Sequence, residues 1–244
     1  MAVRPVFTCT KDVKGYFIVK ELSVEFGWCS GFSLAQKQRS IASLHAAALA
    51  GGNCKSILEI SSKSASHLGV SLSAFNLSMQ LPSCGLEPVS VETLYQGAKE
   101  FDDHKRTDND RFLLSAREAR SRVKEVQNNS RLSGWSIDNL YFDLSSGTSF
   151  YDWLYLKALT QNPLLLKEML DYDSFTDIEF NPRNSLACQA RSAAVAKAAI
   201  LQYGSLTEML DRLLKSSAFC LGTSSGQAKQ EAVDCQLELD IANE

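Results

Sequence analysis

Residues 185–204, SLACQARSAAVAKAAILQYG, constrain this chain more than any other stretch. They read as a helix so rich in Ala and Ser that its neighbours must pack close, because small side chains cannot fill a wide gap in a dense interior. The rest of the pattern supplies more helices and only a few strands. Ser33 followed by Gln36 opens a helix as a capping box, Leu34, Ile41, Leu44 and Ala48 give its apolar stripe, and Gly51-Gly52 ends it. FYDWLYLKAL and, after Asn162-Pro163, LLLKEML are helical, and SLTEMLDRLL begins with a second capping box, Ser205 to Glu208. YFIVKELSVEF (16–26) reads as a strand or two, SILEI (56–60) as a short strand, and FTDIEFNP (175–182) as an extended run closed by proline. SSKSASHLGVSLSAFNL is loop-like, and residues 128–134 break a helix predicted over 111–127 with Phe112, Ala116, Ala119, Val123 and Val126 inward.

The predicted class is therefore α+β, mainly α-helical with a few short strands. No strand–helix alternation sustains a doubly wound sheet, and neither GxGxxG nor GxxxxGK occurs. A nucleotide, if bound, is held some other way.

Composition excludes several roles. A net charge of −3 argues against a generic polyanion binder, though not against a local basic patch. No run of 18 apolar residues suits a membrane span, and the first residues lack the apolar core of a secretory signal. Seven cysteines scattered singly predict reduced thiols and a cytoplasmic setting. His45, His67 and His104 lack metal-ligand spacing, so neither a metal nor a cofactor is expected, and His45 reads as flanking a helix stripe.

VETLYQGAKEF (91–101) is the segment with chemical content. Val91, Leu94, Tyr95 and Ala98 follow helical spacing, while Glu92, Gln96 and Lys99 form a second, polar stripe. Ser90 is the predicted cap, which puts Glu92 in the first turn, where the helix dipole favours a negative charge.

Taken together, SLSAFNL (71–77) and this helix resemble the signature of the NADAR (YbiA-like) family, named for NAD and ADP-ribose. The family pairs an "LSNF"-like element with a "VEHxYQAxK"-like helix. Here Val91, Glu92, Tyr95, Gln96 and Lys99 keep that order and spacing. DWLYLKAL with LLLKEML resembles the later helices, and FTDIEF, ending in a glutamate, resembles the "LVE" element. The likeness spans roughly residues 57–201. Thr93 replaces the family's histidine, and NPRNSLACQAR replaces a Trp-Gly-rich loop that shapes the ligand pocket, which leaves the exact substrate open. The implied organisation is an N-terminal extension (1–56) packed on a NADAR-like catalytic core (57–216), then a weakly ordered tail (217–244). The extension resembles a branch found with DarT toxins, whose NADAR proteins act as DarG-type antitoxins.

The resemblance implies removal of ADP-ribose from guanine in nucleic acid, with ADP-ribose as product and a toxin as possible partner. Cleaving that N-glycosidic bond calls for a carboxyl near the ribose and a proton donor near the base. Glu92 and Glu179 occupy family-like positions, and Glu92 is the stronger catalytic candidate. Its plainer reading is a glutamate stabilising a helix start by roughly 0.3–1 kcal/mol. Lys63, in ISSKS, is a second catalytic candidate, since a desolvated amine can form a Schiff base with an opened ribose. The hydroxyl of Ser62 beside it suits phosphate or ribose oxygens; a polar surface loop is the competing reading.

Gln96 would orient the ligand and Lys99 anchor a phosphate or Glu92. Asp177 and Glu179 alternate with Phe175, Ile178 and Phe180, exposing both acids to one side. Asn181, Gln189 and Arg191 follow. Arg191 suits a diphosphate by charge and fork geometry, or an ordinary ion pair with Asp177 or Glu179. Phe75 and Asn76 of SLSAFNL join the ligand-binding set; Phe75 and Trp153 offer stacking faces, or core packing.

Between Lys105 and Lys124 lie seven basic residues (105, 106, 111, 117, 120, 122, 124) against three acids. Arg117, Arg120 and Lys124 are the candidates for a nucleic-acid strand, against a merely solvated helix face. A modified base must be single-stranded or extruded to enter a pocket. Two other classes remain: an N-glycosidase acting on a small nucleotide or riboflavin-pathway intermediate, and a non-catalytic protein binding ADP-ribose or a toxin.

Overall fold

The chain starts in a long hairpin. In the computed structural model, which describes residues 1–85, 87–102, 112–128, 130–182, 185 and 187–220, β1 (Ala2–Lys11) pairs antiparallel with β2 (Phe17–Phe26) over its whole length. Asp12 closes the turn, its Oδ1 accepting from the Lys14 and Tyr16 N–H groups while Gly15 takes φ +89°. The expected tail lies outside the described residues, apart from 217–220, as do Lys105, Arg106, Arg111 and His104.

The chain divides into two units, Met1–Asn76 with Asn162–Leu206, and Leu77–Gln161 with the residues from Thr207 onward. The first is built on a sheet of order β2-β1-β9-β3, in which β9 (Ser174–Thr176) runs antiparallel to β1 and parallel to β3 (Ile57–Glu59). Helix α1 (Leu34–Ala50) begins at the predicted box: Ser33 accepts from the Gln36 N–H, and Gln36 Oε1 accepts from the Ser33 N–H. Its Ile41, Leu44 and Ala48 pack with Val6, Phe26, Cys54 and Ile178 as a buried core.

The Ala- and Ser-rich stretch is α7 (Gln189–Tyr203), packed on β1, β2 and β9 with Ala190, Ser192, Ala193, Ala194 and Ala196 buried. Its small side chains let the helix lie close on the sheet. The loop-like stretch holds one short helix, α2 (His67–Ser71), which packs with α6 (Pro163–Met169). A Cβ on Gly69 would lie 2.0 Å from the Glu59 carbonyl oxygen, so this close approach requires glycine.

In the second unit β4 (Ser78–Met79) pairs with β5 (Val89–Ser90), and Ser90 caps α3 (Val91–Gly97) by accepting from the Thr93 N–H. The helix ends sooner than its sequence stripe implies, and Lys99 begins a strand, β6 (Lys99–Phe101). Helix α4 (Ala116–Gln127) starts five residues after Arg111, at a capping box of Ser115 and Glu118. The predicted break at 128–134 gives way to β7 (Leu132–Ile137). It joins β8 (Leu140–Asp143) through Asp138 and Asn139, both at positive φ as a tight hairpin turn demands. The sheet order is β10-β8-β7-β6, with β10 at Ala218–Cys220. Helices α5 (Gly147–Gln161) and α8 (Thr207–Ser217) pack together. The fold is α+β, and among the described residues no helix is long and apolar enough to cross a membrane.

Candidate functional site

Glu92 is buried, 6% exposed, although it sits in the first turn of a short helix. A solvated dipole-stabilising glutamate would stand in water; this one is enclosed and bonded. Gln96, one turn on, donates its Nε2–H to Glu92 Oε1 at 2.9 Å, and Arg120 of α4 brings its Nε within 2.8 Å of the same oxygen. The α3–α4 packing that creates this pair is supported by Thr93, whose hydroxyl donates to the Leu114 carbonyl.

Lys99 completes the group from the strand. It is buried, its Nζ lies 5.4 Å from the Tyr95 ring centroid, and burial lowers its pKa to about 8, Glu92 opposing that shift and Arg120 adding to it. Burial and the Glu92 charge also push the Tyr95 hydroxyl up to about 12. Behind them an aromatic wall of Tyr95, Trp135, Phe150 and Tyr151 fixes the helix, with Trp153 stacked on Phe150 as core. The structure thus brings Glu92, Gln96, Lys99 and Arg120 together. Arg117 and Lys124 stand exposed on α4, whereas Arg120, sought as a phosphate contact, reaches Glu92.

In the first unit a second polar group surrounds the turn after β9. The extended reading of 175–182 stops at Thr176, so Asp177 and Glu179 do not share one face. Asp177 is buried, its Oδ1 accepting from the Glu179 N–H and its Oδ2 from Gln189 Nε2. Gln189 also donates to the Ile60 carbonyl and accepts from the Ala74 N–H, tying β3 and the SLSAF element to α7. Glu179 is far more open and pairs with Lys37 Nζ at 2.8 Å, a partner that sequence spacing did not indicate.

Lys63 is half-buried, its N–H donating to Ser61 Oγ, and Ser62 beside it is exposed. Phe75 is 40% exposed, which removes it from the core. Asn76 donates to the Val70 carbonyl and to Ser73 Oγ, and Arg191 is half-buried on the first turn of α7. Sequence reasoning missed Glu59. It is 3% exposed, and Oε1 accepts from Ser61 Oγ and the Ile178 N–H while Oε2 accepts from Thr176 Oγ1 at 2.6 Å. His45 Nε2 lies 2.8 Å from that threonine oxygen. Burial raises the pKa of Glu59 and takes that of Asp177 to about 8, each acid made harder to ionise by neighbouring carboxylates. Burial alone lowers His45 to about 4. Among the described residues no cluster of His, Cys, Asp and Glu is arranged to hold a metal ion.

Residues 2–231 match the family described as DarT1-associated NADAR antitoxin. The chain belongs to that family. The match begins in β1, so the NADAR antitoxin family takes in the N-terminal hairpin as well as the segment whose motifs carry the resemblance. Comparison with curated individual proteins gives no match. The family is one of antitoxins associated with DarT1. Glu92, Gln96 and Lys99, buried in this group, lie in the segment whose sequence resembles the NADAR signature.

Proposed function

We propose that this chain is a glycohydrolase that removes ADP-ribose from guanine bases of nucleic acid, acting in the cytoplasm as the antitoxin to a DarT-type ADP-ribosyltransferase. The observation that carries the reading is the enclosure of Glu92 with Gln96, Arg120 and Lys99, all within the second unit. A carboxylate held this way is pre-oriented and has little water around it, so it acts strongly on positive charge developing at a ribose anomeric carbon. The bond between that carbon and the guanine nitrogen breaks, water adds its oxygen to the carbon, and the base nitrogen takes up a proton. The products are an unmodified strand and free ADP-ribose. Glu92 stabilises the cationic carbon, receives the proton of the attacking water and passes it to the released guanine nitrogen. Gln96 and Arg120 hold the carboxylate in register, and Lys99 supplies a cation for phosphate.

Lys63 and the ligand-binding set Ser62, Phe75, Asn76, Asp177, Glu179, Gln189 and Arg191 are kept from the sequence reading, and the approach of a strand along Arg117 and Lys124 rests on the local excess of basic residues there. The deciding assay incubates the protein with a guanine-ADP-ribosylated oligonucleotide and reads the strand and released ADP-ribose by mass spectrometry. Conversion by the native chain and its loss in Glu92→Gln support the proposal. ADP-ribose binding without turnover would favour a sequestering protein instead. Turnover of free nucleotides alone would favour a small-molecule N-glycosidase.

A further inference from the structure

Strand β2 lies at the edge of the first unit's sheet, and its pairing with β1 fixes which way each backbone group points. Asp12 donates to the Tyr16 carbonyl at the hairpin end, so in the unbroken register that follows the even-numbered residues of β2 face β1. The odd-numbered residues turn their N–H and C=O groups outward. Two contacts agree: the Phe17 N–H donates to Gln202 Oε1 of α7, and the Gly27 N–H donates to Ser43 Oγ of α1. Those side chains close the two ends of the edge. Between them, the outward N–H groups of Val19, Glu21, Ser23 and Glu25 make no hydrogen bond among the described residues.

The open run is roughly 20 Å long. Edges of this kind are ordinarily blunted by proline, a bulge or shortness. The chain does so elsewhere in the same sheet. On the other side of β1, where the Cys9 N–H reaches the Asp173 carbonyl, Pro5 stands at an odd position beyond the short β9, and the far edge strand β3 has three residues. By contrast β2 has ten residues, no proline and no shift of register.

Its chemistry says what fits there. Glu21, Ser23 and Glu25 are exposed and alternate onto one face, with Lys20 on the other, and neither acid is ion-paired among the described residues. In an antiparallel neighbour, the residue that exchanges hydrogen bonds with Glu21 also sets its side chain beside that of Glu21. Opposite charges so placed stabilise and like charges destabilise, which disfavours a second copy of β2 because four acids would gather on one face.

We propose that the outer edge of β2 is a docking site for an extended basic polypeptide segment, which joins the sheet as an antiparallel strand with Lys or Arg opposite Glu21 and Glu25. Main-chain bonds supply the attachment and the two acids the selectivity. This site is independent of the cleavage reading.

The experiment uses the full chain, labelled with nitrogen-15, and follows amide hydrogen exchange by NMR. In the free chain the Glu21, Ser23 and Glu25 amides should exchange fast and those of Lys20, Leu22 and Val24 slowly. Slow exchange at the odd positions overturns the open edge, and protection that grows with protein concentration replaces the basic partner by a second copy. The probe is a ten-residue peptide alternating lysine with threonine. At saturation it should slow the three odd-numbered amides by at least about tenfold. Methylating its lysine N–H groups removes the donors that face β2 and should abolish binding, whereas methylating those of threonine should not.

Ser23→Pro deletes one outward N–H and no bond to β1, so the chain should keep its circular dichroism and lose the peptide. Should that variant not fold, Glu21→Gln with Glu25→Gln decides, weakening binding by about two- to thirtyfold through the loss of two cross-strand ion pairs. Equal binding by this double variant, or by an alternating glutamate–threonine peptide, overturns the basic partner. No binding of the lysine peptide overturns the site.

Discussion

Arg120 Nε lies 2.8 Å from Glu92 Oε1, and the two residues differ sharply in surroundings, the glutamate side chain 8% exposed and the arginine 54%. The guanidinium spans from solvent to an enclosed acid. A residue that the charge pattern had assigned to a nucleic-acid strand is therefore tied to the candidate catalytic group, and its removal should be felt there.

Glu92→Gln should lower ADP-ribose release by about 10²–10⁴-fold, the range a positioned acid–base group contributes, with circular dichroism unchanged. Arg120→Ala should reduce the rate as well, by a smaller factor, because the carboxylate keeps its Gln96 bond. Rates come from the mass-spectrometric oligonucleotide assay.

Arg117→Gln with Lys124→Gln should weaken binding of modified oligonucleotide while leaving turnover of bound substrate intact. If each contacts one phosphate of a single strand, the slope of log K against log salt becomes shallower by about 0.7 per residue. A slope unchanged in the double variant removes the strand from this face of α4.

The pH dependence of stability separates two buried groups of opposite sign. Asp177, raised to about 8, binds a proton on folding, so its contribution is present at acid pH and is lost as pH rises from its unfolded value near 4 through 8. His45, lowered to about 4, releases a proton on folding, so it favours the folded state above about pH 6.5 and costs stability as pH falls toward 4. The two slopes oppose each other below pH 6.5, and between 6.5 and 8 only Asp177 acts of the pair. Denaturant titrations in that window should show stability falling by up to about 1.4 kcal/mol per pH unit, a slope that Asp177→Asn flattens.

Gly147→Ala tests the packing beneath α3. An added Cβ would lie 2.8 Å from Trp135 Cη2, inside the ring cluster that also holds Tyr95. Overpacking of this kind costs about 1–3 kcal/mol. A lower Tm with proportionally impaired turnover is expected; an unchanged Tm would show that the wall yields freely.

What could be read from the sequence follows the range of the interactions. Ser33–Gln36, Ser90 and the stripe of small residues in α7 are local, and each appears where spacing placed it, except that α7 begins at Gln189, four residues into its predicted run. Lys99 joins Glu92 and Gln96 as its place in the stripe implied, but from a strand, since the helix ends at Gly97 and periodicity does not see the change of element. The strand at 132–137 was hidden by Gly134 and the polar residues before it. Glu59 was hidden more deeply. It is one acid in an apolar pentapeptide, and its partners Thr176 and Ile178 are more than a hundred residues away along the chain. Nothing local marks such a residue.

The strand order β2-β1-β9-β3 also bears on how the polypeptide is made. Strands near the amino terminus, β1 and β3, are joined only through β9, which begins at Ser174. A nascent chain emerging from the ribosome must therefore carry an incomplete sheet, with two edges open, until β9 has been synthesised. Long-range closure of this sort slows folding and leaves unpaired edges available for aggregation in the meantime. Interrupted translation upstream of Ser174 should yield fragments that chaperones or proteases capture, so an antitoxin of this design becomes effective only once β9 has been made.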